Sequence, residues 1–161
     1  MKTIIIGIGN PLLGDDGVGV HVAQLLQTRI QNPSITVDEA FTGGMNLLDL
    51  IKGYEKAILI DTIQRKNQKI GTVARYDLSD LPTIHSHNPH DTSLVEAISL
   101  AKNLGDDQIP EQIIIYGIAI HHPCTEFTEE MSPSIQEAIP NIINMIISDI
   151  ESSDNNKIEK R

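Results

Sequence analysis

The sequence has no tryptophan, one cysteine and two phenylalanines. A single thiol, Cys124, excludes an internal disulfide and fits a reducing, cytoplasmic compartment. With aromatics at 3%, the core must be aliphatic, and isoleucine is conspicuous. Basic residues are also scarce: 12 Lys and Arg against 22 Asp and Glu give a formal net charge of −10. That balance argues against a nucleic-acid or anionic-membrane partner, since either would need a basic face. No apolar run approaches membrane-spanning length, and the one after Lys2 passes straight into glycines, too short for a signal peptide. There is no G-x-S-x-G, and no Ser can be linked by spacing to a His and an Asp. A dinucleotide fingerprint is also missing, because Gly7-Ile8-Gly9-Asn10-Pro11-Leu12 lacks the third glycine. A phosphate loop would want Lys, Ser or Thr at the helix start. The acids found there would repel a pyrophosphate, so no nucleotide is expected.

What the sequence does have is concentrated between Ile4 and Gly19, IIIGIGNPLLGDDGVG. Ile4, Ile5 and Ile6 form a β-branched run cut off by Gly7, the mark of a short buried strand. Gly9, Asn10, Pro11 and Gly14 suit a tight turn. Asp15 and Asp16 then stand before an amphipathic segment with Val18, Val22, Leu25 and Leu26 on one face. One acid is explained as a helix cap; two exceed what a cap requires. The order strand, turn, acids, helix puts two carboxylates at the carboxyl end of a strand, where open α/β sheets bind ligands.

The length is that of one domain, expected over residues 1–150, with a polar, disordered tail over 151–161. A first helix is expected from about Asp16 to Ile30, then a strand at Ile35–Val37 and a short helix around Met45–Ile51 stopped by Gly53. Ala57–Ile60 is an unbroken apolar run ended by Asp61, as in a central strand covered on both faces. Thr72–Tyr76 alternates like a strand near an edge. Ser93 and Glu96 have capping-box spacing for the next helix, Ile113–Ile120 is the last buried strand, and Ser132-Pro133 opens a final helix that Pro140 should bend. Strands alternating with helices imply a mostly parallel sheet with helices on both faces.

Several residues could carry chemistry. Asp61 would emerge on the same rim as Asp16, or simply form a turn or cap. His85, His87 and His90 lie in a loop whose spacing matches no zinc signature. His90 stands out because Pro89 restrains it and a helix follows, whereas His85 and His87 read as surface residues. His121, His122 and Cys124 could bind metal or form a thiol pair, on thin grounds. His21 falls on the inward side of the first helix and should be packed or half-buried. Two carboxylates and an imidazole could hold nickel or zinc, or do metal-free acid–base work.

Gly7-Ile8-Gly9-Asn10, the turn Pro11–Gly14, Asp15-Asp16 and Gly17-Val18-Gly19 together resemble the N-terminal signature of the hydrogenase maturation endopeptidases. Thr42-Gly43-Gly44-Met45 and His90-Asp91-Thr92-Ser93-Leu94 also match family segments, whereas Glu39-Ala40-Phe41 departs from the Asp-Gly-Gly of many members. The resemblance implies a three-layer α/β/α sandwich whose five-stranded sheet has one antiparallel strand, Thr72–Tyr76. It implies Asp16, Asp61 and His90 as ligands of a nickel ion shared with the substrate. It also implies a cytoplasmic endopeptidase that removes the C-terminal extension of a nickel–iron hydrogenase large-subunit precursor. A non-catalytic nickel-sensing or assembly protein for that precursor is the alternative. By exclusion, Asp15 becomes the helix cap.

Overall fold

Short apolar strands separated by helices pair in parallel, because each crossover helix returns the chain to the same end of the sheet. The structure, a computed structural model, describes residues 1–41, 45–78 and 97–158. Strands β1 (Thr3–Ile8), β2 (Ile35–Ala40), β3 (Lys56–Gln64), β4 (Val73–Asp77) and β5 (Gln112–Ile120) form one five-stranded sheet, ordered β2-β1-β3-β5-β4. All pairings are parallel except that of β4 with β5, which places the antiparallel strand at an edge as expected. Helices α1 (Val18–Arg29) and α4 (Pro133–Ile158) cover one face. Helices α2 (Met45–Ile51) and α3 (97–103) cover the other.

This layering explains why the central strands read as unbroken apolar runs. Ile4, Ile6, Ala57 and Leu59 pack toward α2 and α3, while Ile5, Ile58 and Ile60 pack toward α1 and α4. Both sets are buried, so the sequence shows no alternation. The ends of α3 and α4 follow local chemistry. Beyond α3, Gly105 at φ 78° lets its own N–H reach the Lys102 carbonyl and that of Asp106 reach Ala101, closing the helix. Pro140 does not interrupt α4, and its ring sits on the exposed side of the helix. Nor does α4 stop with its apolar stripe: it continues to Ile158, into the polar stretch expected as a tail. Once a packed helix is nucleated, each added residue gains a hydrogen bond at little cost.

Two other elements differ from the sequence reading. The acids after β1 lie in a separate 3-10 turn, Gly14–Gly17, and α1 begins only at Val18. β3 runs four residues past Ile60, because β5 is equally long and pairs with it through Gln64↔Ile120.

Where β4, β5 and α4 meet, the buried Tyr116 donates its hydroxyl to Asp149 at 2.6 Å, and Arg75 donates to the same oxygen at 2.8 Å. Burial alone would raise the Asp149 pKa, but the hydrogen bonds from Tyr116 and Arg75 outweigh it and the net shift is downward. Burial, and then the bond to Asp149, push the Tyr116 phenol well above its usual range. Because the folded-state pKa of Asp149 lies below its unfolded value, its contribution to stability is full above about pH 4. It is lost as pH falls through the lowered value. Asp149→Ala should therefore cost about 1–3 kcal/mol near neutrality, the penalty for depriving a buried hydroxyl of its main acceptor. In urea unfolding at a series of pH values, the gap to the wild type should shrink below about pH 4.

Candidate active site

The sheet order reverses between β1 and β3: the chain leaves β1 for β2 on one side and returns to β3 on the other. Such a switch point opens a crevice beyond the carboxyl ends of the two strands. The β1–β3 ladder stops at Gly7↔Ile60, whereas β3 continues against β5. Asp61 is thus the first β3 residue past that ladder. It does not end its strand, as the sequence reading had it; β3 continues against β5 after its ladder with β1 has ended. Asp61 is only 6% exposed, and its Oδ1 accepts the Thr62 N–H at 2.7 Å. Strand alternation turns Asp61 to the side of Leu59 and Thr62 to the α1 side.

Asp16 reaches the same crevice from the loop after β1. Gly9, at φ 142°, bends the chain so that the Asn10 N–H meets Asp16 Oδ2 at 2.8 Å. A side chain at Gly9 would put its Cβ 1.9 Å from the Asp16 carbonyl oxygen. The other carboxylate oxygen, Oδ1, lies 3.5 Å from the Thr62 hydroxyl. Asp16 therefore meets Thr62, the residue that follows Asp61 on β3 and whose N–H Asp61 accepts. His90 lies outside the described residues, as do His85, His87, Ser93, Glu96 and the segment Thr42–Gly44.

Asp15 points away from the crevice, but not as a cap of its own turn, which has no side-chain cap. It accepts the Ser132 N–H at 2.6 Å and the Ser132 hydroxyl at 2.9 Å, 117 residues away in sequence. Ser132 in turn offers its carbonyl to the N–H groups of Ile135 and Gln136 at the start of α4. Asp15 thus ties the α1 entry to the α4 entry, a link that local spacing does not reveal. Asn10 and Thr62 were also missed as contacts of Asp16. The only signal for Thr62 was its adjacency to Asp61, which gains meaning once the register is known.

In the second histidine cluster, His121 and Cys124 have other partners, and His122 is exposed. The His121 Nε2 lies 2.7 Å from the Gln68 carbonyl, and the Cys124 thiol donates to the Glu126 carbonyl at 3.3 Å. Among the described residues no three His, Cys, Asp or Glu side chains gather into a metal-binding group. His21 is exposed rather than packed. α1 buries Val18, Val22, Ala23 and Leu26, which turns His21 outward onto a recess of about 120 Å³ shared with Gln24, Glu129 and Met131.

Residues 20–149 match a family model described as hydrogenase maturation protease. The chain is 26% identical over 121 residues to the hydrogenase 2 maturation protease of Escherichia coli, covering 73% of each. It is 25% identical over 160 residues to the coenzyme F420 hydrogenase subunit delta of Methanothermobacter thermautotrophicus, covering 92% of this chain and 94% of that one. Its fold is similar to that of the hydrogenase maturating endopeptidase HybD from E. coli, with a TM-score of 0.79 at 23% identity over 95% and 94% of the two chains. The NiFe hydrogenase maturation protease HybD from Thermococcus kodakarensis also superposes, with a TM-score of 0.71 at 18% identity over 92% and 98%. With a family model matched over most of its length, a doubly wound fold shared with solved maturation proteases and acids at the switch point, this chain belongs to the hydrogenase maturation protease family.

Proposed function

We propose that this protease acts in the cytoplasm and removes the C-terminal extension of a nickel–iron hydrogenase large-subunit precursor after nickel has been delivered to it. One observation supports this reading above the others: Asp16, from the turn after β1, reaches Thr62, the residue next to Asp61 on β3, at the carboxyl end of the sheet where its order reverses. With His90 as a nitrogen donor, the set is two carboxylates and an imidazole, which suits a borderline divalent ion and leaves coordination positions to the substrate. Nickel in this reading is cargo of the precursor, held partly by the precursor's own cysteines. When bound it supplies Lewis acidity beside the peptide to be cut.

The chain's own residues orient and bind. The Asn10 N–H fixes one oxygen of Asp16, so that the other is presented toward the crevice. Asp61 contributes a carboxylate whose burial limits competition from water. The net charge of −10 supports a protein partner rather than nucleic acid or an anionic membrane, and no helix among the described residues is long and apolar enough to cross a membrane. The test is incubation of the protease with purified precursor, loaded with nickel or free of it, followed by intact mass measurement. Shortening of the loaded form alone is expected. Binding without shortening would overturn the protease reading in favour of a sensing or assembly role.

A further inference from the structure

The crevice is flanked by a surface that the ligand set does not use. Among the described residues, large apolar side chains are buried with few exceptions, and two of these lie side by side in the chain's tertiary pairing: Leu12 is 50% and Phe127 84% exposed. They sit on two extended segments that pair with each other. The Thr128 N–H donates to the Leu12 carbonyl at 2.8 Å, and the Gly14 N–H donates to the Thr128 carbonyl at 2.7 Å. Thr128 also accepts the Glu130 N–H on its hydroxyl at 3.1 Å. Phe127 is therefore presented on a backbone fixed at both sides, with its ring in water.

The surroundings carry charge of one sign. Glu126, Glu129 and Glu130 are exposed around Phe127, and the stretches 3–28 and 112–156 contain no Lys or Arg. Beside them lies the recess between Pro11, His21, Glu129 and Met131, large enough for one apolar side chain. The surface is continuous with the crevice, since the loop that carries Leu12 and Gly14 runs directly into Asp16.

We infer that Leu12, Phe127 and the acids around them form a docking surface for the precursor, engaging a basic segment of its folded body that bears an apolar side chain. The inference rests on the proposed function for the identity of the partner. Charge complementarity defines the chemistry: an acidic rim around a rigid aromatic attracts Lys or Arg and buries an apolar neighbour at its centre. Continuity with the crevice means that a partner seated there reaches Asp16 with its adjoining segment.

The test measures the dissociation constant of the full-length protease with nickel-loaded precursor by calorimetry, beside the KM for its cleavage. Phe127→Ser should weaken binding and raise KM at least tenfold. Glu126→Lys, Glu129→Lys and Glu130→Lys combined should do the same and flatten the salt dependence of binding. Leu104→Ser, at a 77% exposed position beyond α3, is the control and should change neither. Thermal unfolding of each variant should match the wild type, since these side chains are exposed. Wild-type binding and cleavage with no loss in the Phe127 and glutamate variants would overturn the docking surface and leave the protease reading intact. Wild-type binding that these variants weaken, without any cleavage, would support the surface and overturn the protease reading. A dimer of the protease alone that Phe127→Ser dissolves, with precursor binding unchanged, would give the surface to a second copy and overturn the inference.

Discussion

Asp16→Asn should abolish cleavage of the nickel-loaded precursor while leaving thermal unfolding nearly unchanged. The substitution keeps the shape of the side chain and an oxygen for the Asn10 N–H, but it removes the negative charge that a metal ligand needs. A loss beyond a hundredfold is expected, since even the outer partners of metal ligands are worth about 10–100-fold. Asp15→Ala should behave in the opposite way. It deletes both hydrogen bonds to Ser132, one from a backbone N–H and one from a hydroxyl, and so loosens α1 from α4. Bonds to a charged acceptor are worth about 1.5–3 kcal/mol, and the folded fraction should still cut. Adjacent residues at a turn face different directions, so this pair separates chemistry from scaffolding within one dipeptide. Cleavage lost in a well-folded Asp15→Ala and kept in Asp16→Asn would move the ligand by one residue.

Gly19→Ala should be among the most damaging single-methyl additions in the chain. A Cβ there would lie 2.4 Å from the Ile60 carbonyl oxygen, 2.6 Å from the Ile8 carbonyl oxygen and 3.1 Å from the Ile8 nitrogen. All three are backbone atoms of β1 and β3, so no side chain can swing aside. α1 would have to lift off the sheet, at about 1–3 kcal/mol or more by analogy with overpacked cores. The 3-10 turn carrying Asp16 leads directly into α1 and would move with it. A displacement of about 1 Å at a reacting centre can cost about a hundredfold in rate. Urea unfolding and the cleavage rate at a temperature where the variant is folded should therefore both fall. Gly53→Ala provides the contrast: φ is 78° there, but nothing lies within 4 Å of the added Cβ. It should cost only the left-handed strain of about 1–2 kcal/mol and leave cleavage intact. If Gly19→Ala is as mild as Gly53→Ala, the close approach of α1 to the two strands is not what positions the acids.

These contrasts also mark how far the sequence could be read. The unbroken runs Ile4–Ile6, Ala57–Ile60 and Ile113–Ile115 identified buried parallel strands, because only strands covered on both faces lose their alternation. The alternating stretch before Tyr76 identified the edge, and the two-sided helix pattern followed from the order of elements. The tight spacing of Gly7, Gly9, Gly17 and Gly19 around two acids was visible as a motif; which atoms the glycines admit was not. The roles of Asp16, Asp61 and His90 came from resemblance, and residue types alone left capping, turn formation and metal binding open.

Local chemistry along the chain thus determined the elements, their order and the layer architecture, because apolar periodicity and turn residues act over a few positions. Contacts between distant segments decided the rest. Asp61 lies past the β1–β3 ladder, within β3 rather than at its end, because β3 is longer than β1 and pairs on with β5. Asp15 serves α4 because Ser132 returns to it across 117 residues. His21 faces water because the burial stripe of α1 is set by how closely Gly7 and Gly19 let the helix approach the sheet. Each depends on register and packing between segments far apart in the chain, and neither is encoded in the spacing of neighbouring residues.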